Sequence, residues 1–218
     1  MRSFRTSSLS GWVLVRSLNF DGVTPATSMS LGDAVTGDSF TAALSTTTGW
    51  SAGSGGIRFA PGTARGADLD FNLDDLLGAS WQDAAVLALW HVTSTTQTGN
   101  AAMIPALVAS HLGASDVYLD FKAAGWTVNS PSGGATGSAT ATAQRVLGMR
   151  LYPTGVTFSA STTTDDEPAG LTELGRGFYA RNSASALAGI KLRVAFNEPV
   201  STLDATVRRL KVYVRHGL

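Results

Sequence analysis

Apolar and polar residues alternate over short runs along most of the chain, most cleanly towards its C-terminal end. In Leu187–Phe196, the residues Ile190, Leu192, Val194 and Phe196 share one parity, and Lys191 and Arg193 share the other. In Ala205–His216, the residues Leu210, Val212 and Val214 share one parity, and Arg209, Lys211, Tyr213 and Arg215 share the other. Successive side chains of a strand point to opposite faces, so each run has an oily face and a basic face. The eight residues Asn197–Asp204, with Pro199, suit an antiparallel hairpin with a longer loop. The two strands are expected to pair and close a sheet over the core. Lys191, Arg193, Arg209, Lys211 and Arg215 would then line one outer face, with Arg208 at its margin.

Upstream, Gly11–Phe20 reads as the first strand, with Trp12, Leu14, Leu18 and Phe20 on one parity and Asp21-Gly22 as the turn that ends it. Residues 23–56 are rich in Thr, Ser and Gly, with a short strand at Ser39–Leu44. The glycines of Thr46–Gly56 predict a loop, because glycine weakens helix and strand interiors alike. Ile57–Phe59 and Ala67–Leu73 read as strands, and Asp74–Gly78 as one helical turn ended by glycine. Two readings fit the next stretch. Ser80-Trp-Gln-Asp83 has the form of a capping box opening a helix to Trp90. Ala85–Val92 is also apolar on both parities, as a buried central strand is, and the strand is the preferred reading.

Ala101–Leu112 is expected to be a short helix, with Pro105 in its first turn, where a missing N–H costs nothing. Asp116–Lys122 alternates again, and Trp126–Asn129 continues or pairs with it. Ser130–Ala143 reads as another loop. Arg145–Tyr152 and Val156–Ser161, joined through Pro153-Thr-Gly155, form the clearest short hairpin, and Phe178–Arg181 adds a short strand. Roughly ten short strands with turn signals between them, and at most two short helices, predict an all-β fold. The expectation is a single antiparallel β-sandwich or jelly roll over residues 11–218, preceded by an N-terminal arm at residues 1–10.

Composition narrows the function. The chain has 218 residues, no cysteine, a formal net charge of zero and only 15% charged residues. No disulfide framework or thiolate metal site is open to it. The neutral balance argues against nucleic-acid binding, which needs a cationic excess. The apolar run Trp12–Val15 is cut by Arg16, too short for a signal-peptide core or a membrane span. A surface made of Ser, Thr, Gly and Asn is weakly hydrated and suits a protein that lives in an assembly.

Candidate chemistry is sparse. The three histidines, His91, His111 and His216, are scattered, and no HExxH, GxSxG, Walker A or GxGxxG motif is present, so an enzyme is not expected. Asp68 and Asp70 share a strand face; a glycosidase pair is one reading and a solvated amphipathic face the preferred one. Asp165-Asp166-Glu167 offers oxygen ligands of the kind calcium takes but lacks EF-hand spacing, and a solvated loop is preferred. No metal or cofactor is expected. Sugar binding uses aromatic faces and polar side chains together. Trp50 in its glycine-rich stretch, Trp126 and Asn129 are the candidate ligand-binding residues. The candidate interface residues are the five cations of the basic face.

Ser17-Leu-Asn-Phe-Asp-Gly22 resembles the opening of laminin-G/concanavalin-A-like jelly-roll domains, and Gly148–Phe158 is similar to their later hairpin. The cysteine-free, Ala/Gly/Thr-rich style, and an ending such as Val207–Arg215, resemble bacteriophage virion proteins. The resemblance implies a non-enzymatic structural protein of the virion, in capsid decoration or a tail fibre, assembled in the host cytoplasm. Its partners would be other virion proteins and copies of itself. The alternative is a lectin-like module for a host-surface glycan. The family's calcium and sugar residues find no position-by-position match here.

Overall fold

The structure is a computed structural model that describes residues 11–60, 66–78, 84–97, 102–108, 117–122, 125–129, 135–138, 146–152, 155–163, 168–178, 191–197 and 203–216. The expected N-terminal arm, His111 and the acidic Asp165-Asp166-Glu167 lie outside these residues.

The described elements begin with β1 (Val13–Asn19), β2 (Met29–Gly32), β3 (Ser39–Leu44), β4 (Trp50–Gly53), β5 (Gly56–Phe59) and β6 (Gly66–Asn72). One turn of helix, α1 (Leu73–Leu77), follows, then β7 (Ala85–Gln97), β8 (Ala102–Val108), β9 (Val117–Lys122), β10 (Gly125–Asn129) and β11 (Ala135–Gly137). The chain continues through β12 (Val146–Tyr152), β13 (Gly155–Ser161), β14 (Thr172–Phe178), β15 (Lys191–Asn197) and β16 (Leu203–Arg215). Two eight-stranded sheets result. The first runs β14-β13-β12-β7-β16-β5-β4, with β1 also paired to β16; the second runs β11-β10-β9-β8-β15-β6-β3-β2. The described strand pairs are antiparallel. This is an all-β sandwich, as the alternation predicts.

One apolar core fills the space between the sheets. Val86, Ala88, Trp90 and Val92 of β7 and Leu210 and Val212 of β16 meet Leu69 and Phe71 of β6 and Leu192 and Val194 of β15. Phe71 sits at the centre, edge-on to Phe20 (6.0 Å) and tilted against Trp90 (5.6 Å). Alternation alone delivers these side chains to one side of each strand.

The first sheet carries a second apolar layer on its far side. Trp12, Ala85, Leu87, Leu89, Val146 and Tyr213 form it, with Leu14, Tyr152 and Leu171 packed around them. This layer is why β7 is apolar on both parities. It also corrects the expected shared face of Trp12, Leu14, Leu18 and Phe20. The register of β1 against β16 shifts between Leu14 and Arg16, so Trp12 and Leu14 join the outer layer while Leu18 and Phe20 face the core.

Four further expectations are corrected. The two C-terminal strands do not pair with each other. β15 lies between β6 and β8 in the second sheet, and β16 lies beside β7 in the first. Each oily face covers the core from its own side, so the strands face one another across the sandwich. Ala102–Val108 is a strand and not a helix, paired through Pro105 with β15. The ladder to β9 is interrupted between Met103 and Ala106, where proline has no N–H to give. Thr46–Gly56 is not all loop. β4 and β5 form a tight hairpin around Ser54-Gly55, with Gly55 at φ 77°, a conformation that favours glycine. Finally, β11 (Ala135–Gly137) interrupts the expected 130–143 loop. Of the strand expected at Phe178–Arg181, Phe178 is the last described residue of β14, and residues 179–181 lie outside the described residues.

Candidate functional site

The basic face predicted from β15 and β16 does not exist as one surface, because the two strands occupy different sheets. On the outer side of the second sheet, Arg193 grips Asp70 with two hydrogen bonds, Nε to Oδ1 at 2.6 Å and Nη2 to Oδ2 at 2.8 Å. Its Nη1 also lies 3.0 Å from Asp68, and Lys191 lies 3.7 Å from Asp70. These contacts follow from register: Arg193 stands directly opposite Asp70 and Ala195 opposite Asp68. The two carboxylates, for which a solvated face is the preferred reading and a glycosidase pair the other, are therefore held in ion pairs on the outer face. Lys122 and Asp120 pair on the same sheet, at 2.7 Å.

The predicted ligand-binding aromatics also change role. Trp50 is buried in the core, its ring 5.2 Å from Phe59, which stands opposite it in the β4–β5 hairpin. Trp126 packs against the core between the sheets, over Gly137 and beside Gly175. Asn129 is three residues on and so faces the other side of β10, where its amide reaches the Thr127 carbonyl at 3.5 Å. The three residues do not converge.

What does converge lies on the outer side of the first sheet. β5 pairs with Ala205–Val207 and β1 with Arg209–Val214, so two strands abut end to end along one edge of β16. At the junction β16 bulges. Val207 pairs with Val92 and Arg209 with His91, leaving Arg208 as the extra residue. A bulge of this kind puts two consecutive side chains on one side of a sheet where a regular strand would send them apart. Val207 and Leu210 are both buried, and Arg208 and Arg209 both line an outer cleft.

The cleft has a volume of about 370 Å³ and is lined by Ser17, Asn19, Asp21, Ala34, Gly55, His91, Arg208 and Arg209. Its walls are tied together. The Phe20 N–H donates to the Arg208 carbonyl (3.0 Å), and the Gly55 N–H donates to Asp21 Oδ1 (2.9 Å), joining the ends of β1 and β5. Gly56 approaches the Val207 carbonyl so closely that a Cβ there would stand 2.2 Å from its oxygen. A Cβ on Gly55 would stand 2.8 Å from Arg208 Nη1.

Asp33 fixes the remaining wall. Buried beside β1, its carboxylate accepts from the N–H groups of Ser17 and Val35, both at 3.0 Å, and from the Thr36 N–H and hydroxyl. Burial by itself pushes this carboxyl up. The hydrogen bonds from the Thr36 hydroxyl and the three N–H groups together outweigh burial and leave its pKa below the ordinary 3.8. Ala34 then donates to the Ser17 carbonyl at 3.0 Å, which sets both residues at the cleft margin.

The donor set of this cleft is two guanidinium groups, an imidazole, a hydroxyl and an amide, against one carboxylate, Asp21. Arg208 is half-buried, and among the described residues its side chain makes one long hydrogen bond, Nε to Thr93 Oγ1 at 3.4 Å, and no ion pair. Among the described residues no group of three or more His, Asp and Glu stands together as a metal site. The sequence carries the signal that finds this place. Ala205 and Val207 are apolar on odd positions, while Leu210, Val212 and Val214 are apolar on even ones. That slip of parity across Arg208-Arg209 is the bulge.

No family model matches the chain, and no curated protein matches it in sequence. Among solved structures, it is similar to Trypanosoma rangeli sialidase in complex with 2,3-difluorosialic acid, with a TM-score of 0.58 and 12% identity over 94% of this chain and 31% of that one. It is also similar to the binding domain of botulinum neurotoxin DC in complex with rat synaptotagmin II, with a TM-score of 0.53 and 7% identity over 92% of this chain and 48% of that one. A protein of unknown function from Shewanella oneidensis MR-1 has a TM-score of 0.50 and 12% identity over 99% of this chain and 90% of that one. The chain spans about a third of the length of the sialidase and about half of the toxin domain. These likenesses define a shared β-sandwich fold.

Proposed function

We propose that this β-sandwich is a non-enzymatic recognition module that binds a saccharide in the cleft at the β16 bulge. The observation that carries the reading is the convergence of the polar side chains of Ser17, Asn19, Asp21, His91, Arg208 and Arg209 on one open depression of the sheet. Hydroxyl-rich ligands are recognised by such mixtures of donors and acceptors held on fixed elements. The ion pairing of Asp68 and Asp70 with Arg193 supports a binding role over a hydrolytic one, since carboxylates so held are poor general acids and bases. The structural neighbours fit this reading: one is a sialidase in complex with a sialic acid derivative, another a toxin's binding domain. The test is a saccharide panel titrated against the wild type and Asn19→Ala. Binding that weakens in the variant supports the reading; a panel with no binder at millimolar concentration rejects it.

We propose further that the module serves within a bacteriophage particle, among other virion proteins and copies of itself. The neutral, Ser/Thr/Gly-rich surface supports this, as does the recurrence of the fold as one part of longer chains. Among the described residues Val13 is the only exposed large hydrophobic side chain, so the contacts would be polar ones. Mass spectrometry of purified particles tests it, and particles that lack the chain reject it.

A further inference from the structure

We infer that the saccharide bound at the bulge carries a carboxylate or sulfate group, and that Arg208 is the residue that receives it; this rests on the saccharide reading above. The argument begins with what an arginine costs. A guanidinium drawn partly out of water needs partners for its charge and its five N–H donors. Elsewhere on the described surface this need is met within the chain. Arg58 pairs with Asp204, Arg176 with Glu173 and Arg193 with Asp68 and Asp70, while Arg150 and Arg215 stack on the Trp12 ring. Arg208 is different. It is half-buried, and among the described residues it holds one 3.4 Å hydrogen bond and no carboxylate.

The fold goes to some length to present it. Between the buried Val207 and Leu210, the bulge places both Arg208 and Arg209 outward, with His91 opposite Arg209 in the ladder. Glycine at position 55 leaves room for its Nη1. The one acid in the cleft, Asp21, already accepts the Gly55 N–H, and the two arginines outnumber it. A planar, bidentate donor in an open cleft matches carboxylate and sulfate oxygens, and a flanking hydroxyl and amide suit the ring that bears them.

The experiment compares matched saccharides with and without the acidic group, carboxylated and sulfated, by calorimetry on the wild type, Arg208→Gln and Arg208→Lys. The expected result is preference for the acidic form in the wild type, lost about tenfold or more in Arg208→Gln and only partly restored by lysine, as for a charge-assisted hydrogen bond. Wild-type binding of the acidic form also weakens as salt rises, and this arm needs no variant to fold. Equal binding of acidic and neutral forms overturns the inference and leaves the saccharide reading standing. Acidic preference unchanged in Arg208→Gln overturns the assignment to Arg208. No binding by any saccharide overturns both. The carboxylated and sulfated arms distinguish the two sources of charge.

Discussion

The two outer faces of the sandwich handle positive charge differently. On the second sheet, cations are neutralised in place: Arg193 by Asp70 and Asp68, Lys191 by Asp70, Lys122 by Asp120. On the first sheet, Arg58 and Arg176 are paired with Asp204 and Glu173, but Arg150 and Arg215 lie 5.3 and 6.0 Å from the Trp12 ring centre, and Arg208 opens into a cleft. A ring face attracts a cation without cancelling its charge. Among the described residues, the cations that meet a ring or a cleft rather than a carboxylate thus lie on the first sheet. What matters for recognition is therefore where the carboxylates sit, more than how many lysines and arginines a strand carries.

The largest test of this contrast is Trp12→Ala. Trp12 is buried over Leu87, Leu89 and Tyr213 and supports two arginines, with no counterpart among the described residues of the second sheet. Its truncation is expected to destabilise the fold by about 3–5 kcal/mol, read by chemical denaturation. A loss below about 1 kcal/mol would mean that the outer apolar layer does not hold the first sheet.

Next comes Asp70→Ala, which removes the carboxylate that Arg193 and Lys191 share. A cost of about 1–3 kcal/mol is expected, since the pair is only partly buried, with saccharide binding unchanged. Loss of binding would erase the distinction between the faces.

Asp33→Asn is expected to cost about 1–2 kcal/mol near neutrality and to flatten the acid side of the stability curve. The sign follows from the lowered pKa of the folded state. The ionised carboxylate stabilises the fold above the ordinary 3.8, and that contribution is lost as pH falls through the lower folded value. Denaturation midpoints measured between about pH 2 and pH 6 check it, and parallel curves for wild type and variant would contradict it. The smallest effect belongs to Arg58→Ala. Its pair with Asp204 is exposed, and no measurable shift of the midpoint is expected.

Much of the fold was legible because alternation reports directly on which side of a strand meets oil. β12, β13, β15 and β16 fall close to where the pattern puts them. Alternation does not say which strand lies next door. That is why Lys191 and Arg193 were grouped with Arg209, Lys211 and Arg215, when two sheets separate them. Pro105 argued for a helix start, and here a central strand tolerates it by breaking its ladder on one side only. Glycine misled in the same way at Trp50. Gly53, Gly55 and Gly56 build a hairpin whose tight turn and close approach to β16 need them, and the tryptophan beside them is core. Of the cleft, Arg209 was named from its parity, and Arg208 stood at the margin. The slip from odd to even apolar positions across them is the local mark of the bulge. Asn19, Asp21 and Gly55 reach the cleft through tertiary approach, for which no short pattern exists.

The long strand β16 has a consequence for how this molecule comes to be. It is paired with β7 on one edge and with both β1 and β5 on the other, so it splints three strands that precede it in the sequence. Until it arrives, β1 and β5 have no link to β7, and the cleft at the junction between them cannot form. Pairings so distant in sequence close slowly, because loop entropy is lost before contacts return it. The cleft is complete only when β16 has docked, and a refolding assay that follows capture of the proposed ligand is expected to register only molecules in which it has.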